Sequence, residues 1–286
     1  MLAELERATR RPARETFNFV AGTSSGAITA AALAVGIPAE RVVSLYADRS
    51  TEILRRIPVL STAARIATGS MYDIRALHRL ISQELGPTAA GWRLNDSPID
   101  LLISAKRLSD GMPWYFVRDN QRNSCRAGGF GLADVVVASA AAPTYFQPWH
   151  IAGIGDLIDG GAGVTGNPVY QACVEAFHYT DAYAPAATTV VSLGTGQFLQ
   201  RERPAWIWPW LSWLLSELLR SPAEQQTELV HRHYPETPFY RLMCCWSARC
   251  RSMRWTASTS CTSAAGDWPS RSTGRASWPE PIADTA

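Results

Sequence analysis

The feature that most constrains the fold is a glycine- and serine-rich turn between a short apolar segment and a helix of small residues. Residues 17–20 are Phe-Asn-Phe-Val, a composition that favours a short buried strand. The turn at residues 22–26 is Gly-Thr-Ser-Ser-Gly, and the alanine-rich residues 27–33 that follow favour a helix. A strand that turns tightly into a helix is a building unit of α/β proteins. The beginning of the chain therefore predicts an α/β fold.

Strand and helix patterns continue to alternate along the chain. Two adjacent strands are predicted at residues 99–105 and 114–117, and Asp110-Gly111 between them is a pair typical of hairpins. Because strands that alternate with helices form parallel sheets buried on both faces, we expect a mainly parallel central sheet. Further strands are predicted at residues 154–158 and 188–193, and helices at residues 38–55, 74–85 after an Asp73 N-cap, 132–142 and 168–177.

The composition excludes several classes of protein. The chain has 286 residues, of which 47% are hydrophobic, far too many for a disordered protein. Its 27 basic and 25 acidic residues are interspersed, so we expect no nucleic-acid partner. The longest apolar stretch, residues 205–219, contains Pro209 and Glu217 and is too short to cross a bilayer. Acidic residues near Met1 argue against a secretory signal, so the expected location is cytoplasmic.

The cysteines indicate neither a disulfide framework nor a metal site. Before residue 243 the chain contains only Cys125 and Cys173, and neither belongs to a pattern with metal-ligand spacing. We therefore expect a protein without a metal or another cofactor.

Gly22-x-Ser24-x-Gly26 is the pattern of a nucleophile elbow, and it stands between a strand and a helix as that motif requires. In such a turn the serine Oγ projects from the sheet, and the glycines allow the backbone segments to approach closely. The N–H groups at the start of the following helix, Ser25 N–H among them, can stabilise an oxyanion. The structural alternative is an ordinary turn that caps a helix.

A serine nucleophile needs a base, and the chain offers an aspartate and several histidines for that role. Asp159 follows a short predicted strand and precedes Gly160 and Gly161, so its carboxylate is presented on a turn with little bulk around it. Its alternative role is that of a turn aspartate bonded to its own backbone. His231 and His233 are the histidines placed late enough for the Ser-Asp-His order of α/β-hydrolases.

Four segments follow one another along the chain: residues 17–26, residues 138–146 (Ala-Ser-Ala-Ala-Ala-Pro-Thr-Tyr-Phe), Asp159-Gly160-Gly161 with Asn167-Pro168, and residues 191–196 (Val-Ser-Leu-Gly-Thr-Gly). Together they make the chain similar to the patatin-like phospholipase family over about residues 1–242. The resemblance implies a three-layer α/β sandwich and a Ser-Asp dyad without histidine that hydrolyses acyl esters of lipids. Ser24 matches the family's nucleophile and Asp159 its base, and Gly22, Gly26, Gly160 and Gly161 support the two motifs.

The beginning of the chain departs from the pattern of that family. Members normally start with a strand and a glycine-rich loop whose N–H groups form the oxyanion hole, whereas residues 2–6 resemble the helix after that loop. We therefore expect the first strand and the main oxyanion loop to be missing from the domain at residues 1–242. Because one oxyanion donor is typically worth about 10²- to 10³-fold in turnover, this loss would impair activity.

Residues 243–286 form an anomalous tail, with four of the six cysteines and four of the eleven tryptophans of the chain. Permitted codons for residues 243–278, translated in a neighbouring frame, yield an amphipathic sequence that continues the domain. We therefore expect a displaced reading frame, which the nucleotide sequence would test. The alternative is a disordered tail, although disordered segments are usually poor in aromatic residues.

A tryptophan cluster indicates contact with a membrane surface. Trp206, Trp208, Trp210 and Trp213 precede a leucine-rich segment, and aromatic residues beside an amphipathic helix suit the bilayer interface. The alternative is a lid or core helix of the domain.

The sequence as a whole predicts a serine lipid acyl hydrolase, a phospholipase or esterase that acts through an acyl-enzyme on Ser24. Two alternatives stay open. One is an inactive lipid-binding protein of the same lineage, and the other is an α/β-hydrolase with a Ser-His-Asp triad. Hydrolysis of a short-chain ester distinguishes the first alternative, and histidine variants distinguish the second.

Overall fold

A computed structural model describes residues 1–49, 70–123, 127–195, 197–198, 222–246 and 254–259. The contacts divide the chain into two compact units. The first runs from Met1 to Tyr183 and includes a later segment that ends at Val230, and the second contains the C-terminal strands. Within the described residues, no helix is long and apolar enough to cross a membrane.

The sheet of the first unit is built around one long strand. Its strands are β1 (Phe19–Thr23), β2 (Asp100–Arg107), β3 (Pro113–Val117), β4 (Trp149–Ile151) and β5 (Gly155–Asp159). β2 pairs with β1 in parallel and with β3 and β5 in antiparallel orientation, and β4 pairs antiparallel with β5. The α/β class is confirmed, but these pairings are mixed rather than mainly parallel. Alternation of strands and helices in a sequence does not determine the direction in which a strand enters the sheet.

The described residues also form eight helices, and local sequence signals mark where some of them begin. Asp73 accepts a hydrogen bond from Arg75 N–H, which confirms the predicted N-cap. The helix predicted to start at Pro38 ends at Asp48, and residues 50–55 of that prediction lie outside the described residues. The helices are α1 (Leu2–Thr9), α2 (Ala13–Thr16), α3 (Ser25–Val35), α4 (Ala39–Asp48), α5 (Ile74–Ala89), α6 (Leu132–Ser139), α7 (Val169–His178) and α8 (222–233).

Both faces of β2 are buried, because side chains alternate across a strand. Leu101, Ile103 and Ala105 pack on one face in the core that includes residues of α3, α5 and α6. Leu102 and Ser104 belong to the other face and are equally inaccessible. Each fully buried leucine or isoleucine contributes about 1.5–3 kcal/mol, so this strand is a main source of stability.

The second unit contains a smaller sheet. Its strands are β6 (Val190–Leu193), β7 (Gln197–Phe198), β8 (Phe239–Trp246) and β9 (Arg254–Thr259). β8 pairs in parallel with β6 and β7 and antiparallel with β9. The predicted boundary between residues 242 and 243 falls inside β8. The proposal of a displaced reading frame remains a prediction, and most of the tail lies outside the described residues.

Candidate active site

Ser24 and Asp159 meet because two strands share one edge of β2, end to end. β1 pairs along residues 100–104 of β2, and β5 pairs along residues 105–107. β3 pairs with residues 102–106 and so occupies the opposite edge. β1 and β5 run toward each other, since one is parallel to β2 and the other antiparallel. Their last residues, Thr23 and Asp159, lie opposite the consecutive residues Ser104 and Ala105.

Ser24 has the backbone conformation of a sharp strand-to-helix turn. Its φ is 57° and its ψ is −125°, a positive φ that non-glycine residues rarely adopt. Holding such a conformation costs on the order of 1–3 kcal/mol, so the surrounding structure must stabilise it. In this conformation Ser24 Oγ donates a hydrogen bond of 2.5 Å to Asp159 Oδ2.

The carboxylate of Asp159 is buried and engaged through both oxygens. Only 5% of the residue is exposed, and Gly161 N–H donates a 2.6 Å hydrogen bond to Oδ1. Burial raises the pKa of Asp159 above its ordinary value, while the hydrogen bonds from Ser24 and Gly161 lower it partway. A carboxylate with a raised pKa is a stronger base than one in water. The pair therefore has the arrangement of a serine hydroxyl and its proton acceptor.

The two glycines of the elbow have different steric roles. A Cβ on Gly22 would overlap the Gly26 carbonyl and would lie 2.7 Å from Ala27 N, all rigid backbone. A Cβ on Gly26 would meet nothing within 4 Å. Gly160 is constrained like Gly22, because its Cβ would lie 2.6 Å from Ser104 O. Of the four motif glycines, Gly22 and Gly160 are therefore required by close packing of the backbone, whereas a Cβ on Gly161 would lie 3.0 Å from a side-chain atom, Asp159 Oδ1.

We expect Gly22→Ala to destabilise the protein and Gly26→Ala to leave it folded. The Gly22 variant forces backbone apart at the start of α3, so the free energy of unfolding should fall by about 3 kcal/mol or more. The Gly26 variant adds a helix-favouring residue in open space and should change it by less than about 1 kcal/mol. Thermal unfolding followed by circular dichroism measures both. Equal stability of the two variants would contradict the close approach at Gly22.

The two predicted histidine candidates, His231 and His233, belong to the second unit, and the described partners of His78 and His150 are other residues than Ser24 and Asp159. His78 stacks on Trp149 with ring centroids 5.0 Å apart, and its Nε2 lies 3.3 Å from Asp134. His150 Nδ1 lies 2.8 Å from Asp156 Oδ1. His231 packs edge-on against Phe239 in the second unit, to which His233 also belongs.

The remaining predictions concern the tryptophan cluster, the expected absence of a metal, and Ser25. Trp206, Trp208, Trp210 and Trp213 lie outside the described residues. Among the residues that the structure describes, no group of three or more His, Cys, Asp or Glu side chains could hold a metal ion. Ser25 is the first residue of α3, so its N–H is among the first four of the helix, which have no partner within it.

Sequence reasoning missed a set of buried hydroxyl groups around the pair. Thr23, Ser104, Ser139 and Thr165 are each less than 9% exposed and are linked by hydrogen bonds. The available signal was a polar residue in an otherwise apolar strand or helix end, such as Ser104 within Leu-Leu-Ile-Ser-Ala. That signal shows that the group needs a partner but does not identify it.

The chain is similar in sequence to a known family and to several known proteins. A family model described as patatin-like phospholipase matches residues 1–172. The chain is 30% identical over 184 residues to a cGAMP-activated phospholipase of Escherichia coli, covering 62% of this chain and 51% of that protein. It is 29% identical over 190 residues to one of Vibrio cholerae, covering 62% and 53%. It is 25% identical over 191 residues to patatin group M-3 of Solanum tuberosum, covering 64% and 48%. The chain thus spans about half the length of these relatives.

Proposed function

Because the chain belongs to the patatin-like phospholipase family, we propose that it is a serine lipid acyl hydrolase in which Ser24 and Asp159 form a catalytic dyad. The observation that carries the proposal is the direct hydrogen bond from Ser24 Oγ to Asp159 Oδ2. The three-layer arrangement of that family is part of the same proposal, and the burial of both faces of β2 supports it.

In the first half of the reaction, Ser24 Oγ attacks the ester carbonyl carbon while Asp159 Oδ2 accepts its proton. The tetrahedral intermediate carries a negative charge on the former carbonyl oxygen. Ser25 N–H lies at the positive end of α3 and is the donor that we assign to this oxyanion. When the intermediate collapses, Asp159 returns the proton to the leaving alcohol, and the acyl group stays on Ser24.

In the second half, Asp159 takes a proton from water, and the resulting hydroxide attacks the acyl-enzyme carbonyl. The C–O bond to Ser24 then breaks, Ser24 regains a proton from Asp159, and the fatty acid leaves. One carboxylate thus serves as base and acid in turn, and the sequence needs no imidazole. The short Ser24–Asp159 distance favours this dyad over a triad, in which a histidine would stand between the two residues.

The experiment that tests the proposal combines ester hydrolysis with active-site labelling. Purified full-length chain should hydrolyse a short-chain 4-nitrophenyl ester and release fatty acid from phosphatidylcholine vesicles. A fluorophosphonate probe should label one residue, and peptide mass spectrometry should locate the label on Ser24. Vesicle binding without hydrolysis or labelling would favour the alternative, an inactive lipid-binding protein.

The pH dependence of this activity follows from the pKa of Asp159. The base must be deprotonated to accept the Ser24 proton, so activity should rise with pH as the carboxyl ionises. Because burial raises the pKa of Asp159, the midpoint of kcat/KM should lie above the ordinary carboxyl value of 3.8. A profile measured from pH 4 to pH 9 checks this. A midpoint at or below 3.8 would contradict the raised pKa.

The cytoplasmic location and the membrane contact belong to the same proposal. A lipid substrate must be reached at a bilayer surface, and the tryptophans at 206, 208, 210 and 213 are the residues that we assign to this contact. Co-sedimentation with vesicles, compared between the wild type and the double variant Trp206→Ala/Trp208→Ala, measures it.

A further inference from the structure

Ser139 connects the end of α6 to the backbone of the proposed nucleophile. The residue is fully buried, and its Oγ accepts a 2.9 Å hydrogen bond from Ser24 N–H. The same Oγ donates a 2.6 Å hydrogen bond to Ser104 O. A carbonyl oxygen can only accept and an amide N–H can only donate. The hydroxyl proton of Ser139 therefore points at Ser104 O, and the hydroxyl oxygen accepts from Ser24 N–H.

The position of Ser24 in the chain explains why its N–H needs this partner. The β1–β2 ladder ends with the Thr23–Ser104 pair, and α3 begins at Ser25. No backbone hydrogen bond from the Ser24 amide is described, and its described acceptor is Ser139 Oγ. An unsatisfied buried N–H costs about 1–3 kcal/mol, on top of the strain of the positive φ.

We infer that Ser139 is a positioning residue, which holds the Ser24 elbow in the conformation that directs Oγ at Asp159. The inference rests on the proposed function, since it assigns a role within the same site. It also assigns a role to the segment at residues 138–146, for which the resemblance to the family supplied none. The described hydrogen bonds of Ser139 go to Ser24 N–H and Ser104 O rather than to Ser24 Oγ or the carboxylate, so it acts through the backbone of Ser24.

The same segment also holds the backbone of the proposed base. Asp159 N–H donates a 3.0 Å hydrogen bond to Ala141 O, two residues after Ser139. The turn after α6 thus contacts the amide groups of both dyad residues, one through a side chain and the other through a carbonyl. A shift of this turn would change the separation of Ser24 and Asp159.

Ser104 joins the two sides of the site through its carbonyl and its hydroxyl. Its carbonyl accepts from Ser139, and its Oγ lies 2.5 Å from Thr23 Oγ1. Thr23 Oγ1 and Ser104 Oγ lie 2.6 Å and 3.2 Å from Thr165 O, and Thr165 Oγ1 donates to Gly160 O, next to Asp159. Because Thr23, Ser104, Ser139 and Thr165 are buried, removal of one hydroxyl leaves its partner with a buried polar group to satisfy.

The variant Ser139→Ala tests the inference, with Ser97→Ala as its matched control. Ser97 is 2% exposed and its Oγ donates a 2.6 Å hydrogen bond to Ile99 O, so its loss removes a buried hydroxyl bond without touching the elbow. We expect kcat per folded molecule to fall about 10- to 100-fold in Ser139→Ala, with KM unchanged within about 2-fold. Ser97→Ala should retain the wild-type kcat.

A second readout separates positioning from a general structural effect. If the elbow moves, the hydrogen bond from Ser24 to Asp159 weakens, and that bond lowers the pKa of Asp159. The pH midpoint of kcat/KM should therefore move upward in Ser139→Ala and stay unchanged in Ser97→Ala. The second-order rate constant for fluorophosphonate labelling of Ser24 should fall together with kcat.

Each remaining outcome overturns one claim. Wild-type protein that is not labelled on Ser24 would overturn the proposed function itself. Labelled wild type together with a Ser139→Ala variant of unchanged kcat and pH midpoint would overturn the positioning role. If Ser139→Ala does not fold, Ser139→Cys replaces it. A thiol is a poor acceptor, so kcat should fall at least about 10-fold, and an unchanged kcat there would overturn the role as well.

Discussion

Ser24→Ala is expected to reduce kcat for short-chain ester hydrolysis by at least about 10⁴-fold, to the background rate. The variant removes the Oγ to which we assign the acyl-enzyme while retaining the backbone that shapes the site. Labelling by the fluorophosphonate probe should disappear at the same time. Because the loss concerns bond formation rather than binding, vesicle binding should be retained.

A remote serine on the same unit provides the control for this variant. Ser44 lies on α4, where its Oγ donates a 3.0 Å hydrogen bond to Arg41 O. Ser44→Ala should have wild-type kcat and labelling. Residual activity above about one hundredth of the wild type in Ser24→Ala would show that another residue forms the covalent intermediate.

Asp159→Asn is expected to reduce kcat by about 10³- to 10⁴-fold. The amide has nearly the same shape and can still accept the hydrogen bond from Gly161 N–H, but it cannot take the Ser24 proton. His231→Ala and His233→Ala should keep wild-type kcat, because the dyad requires no imidazole. Loss of activity in a histidine variant, with activity retained in Asp159→Asn, would identify a triad enzyme instead.

The stability of Asp159→Asn separates loss of the base from loss of the fold. Since the folded state raises the pKa of Asp159, the folded state binds more protons than the unfolded state between 3.8 and the raised value. Stability conferred by this group therefore falls as pH rises through that window and stays low above it. Asn carries no charge and avoids this loss, so its Tm at pH 8 should equal or exceed that of the wild type. A large decrease in Tm would instead indicate a damaged fold.

Secondary structure was largely predictable because its signals are local. The hairpin of β2 and β3 follows from Asp110-Gly111, and the start of α5 follows from Asp73. The predicted end of α6 at residue 142 was wrong, since the helix ends at Ser139. The helical pattern is lost there because Ala142 N–H donates to Ala140 O rather than to the carbonyl four residues before it.

The mixed sheet could not be predicted from periodicity. An apolar strand has the same side-chain alternation whether its neighbour is parallel or antiparallel. The sequence of β5 therefore does not indicate its direction in the sheet. The role of Ser139 could not be predicted from the sequence either, because its hydrogen-bond partners are distant in the chain. Its two partners, Ser24 and Ser104, are 115 and 35 residues away in the chain.

The sequence by itself determined the local chemistry of this protein. It places a serine in a strand-to-helix turn, glycine where a side chain would clash with the backbone, and an aspartate before two glycines. These are determined locally because they depend on backbone conformation and on neighbours a few residues away. Only the tertiary structure decided that Ser24 and Asp159 meet, because they are 135 residues apart. Their contact depends on β1 and β5 ending face to face along one edge of β2, which requires the whole sheet to be assembled.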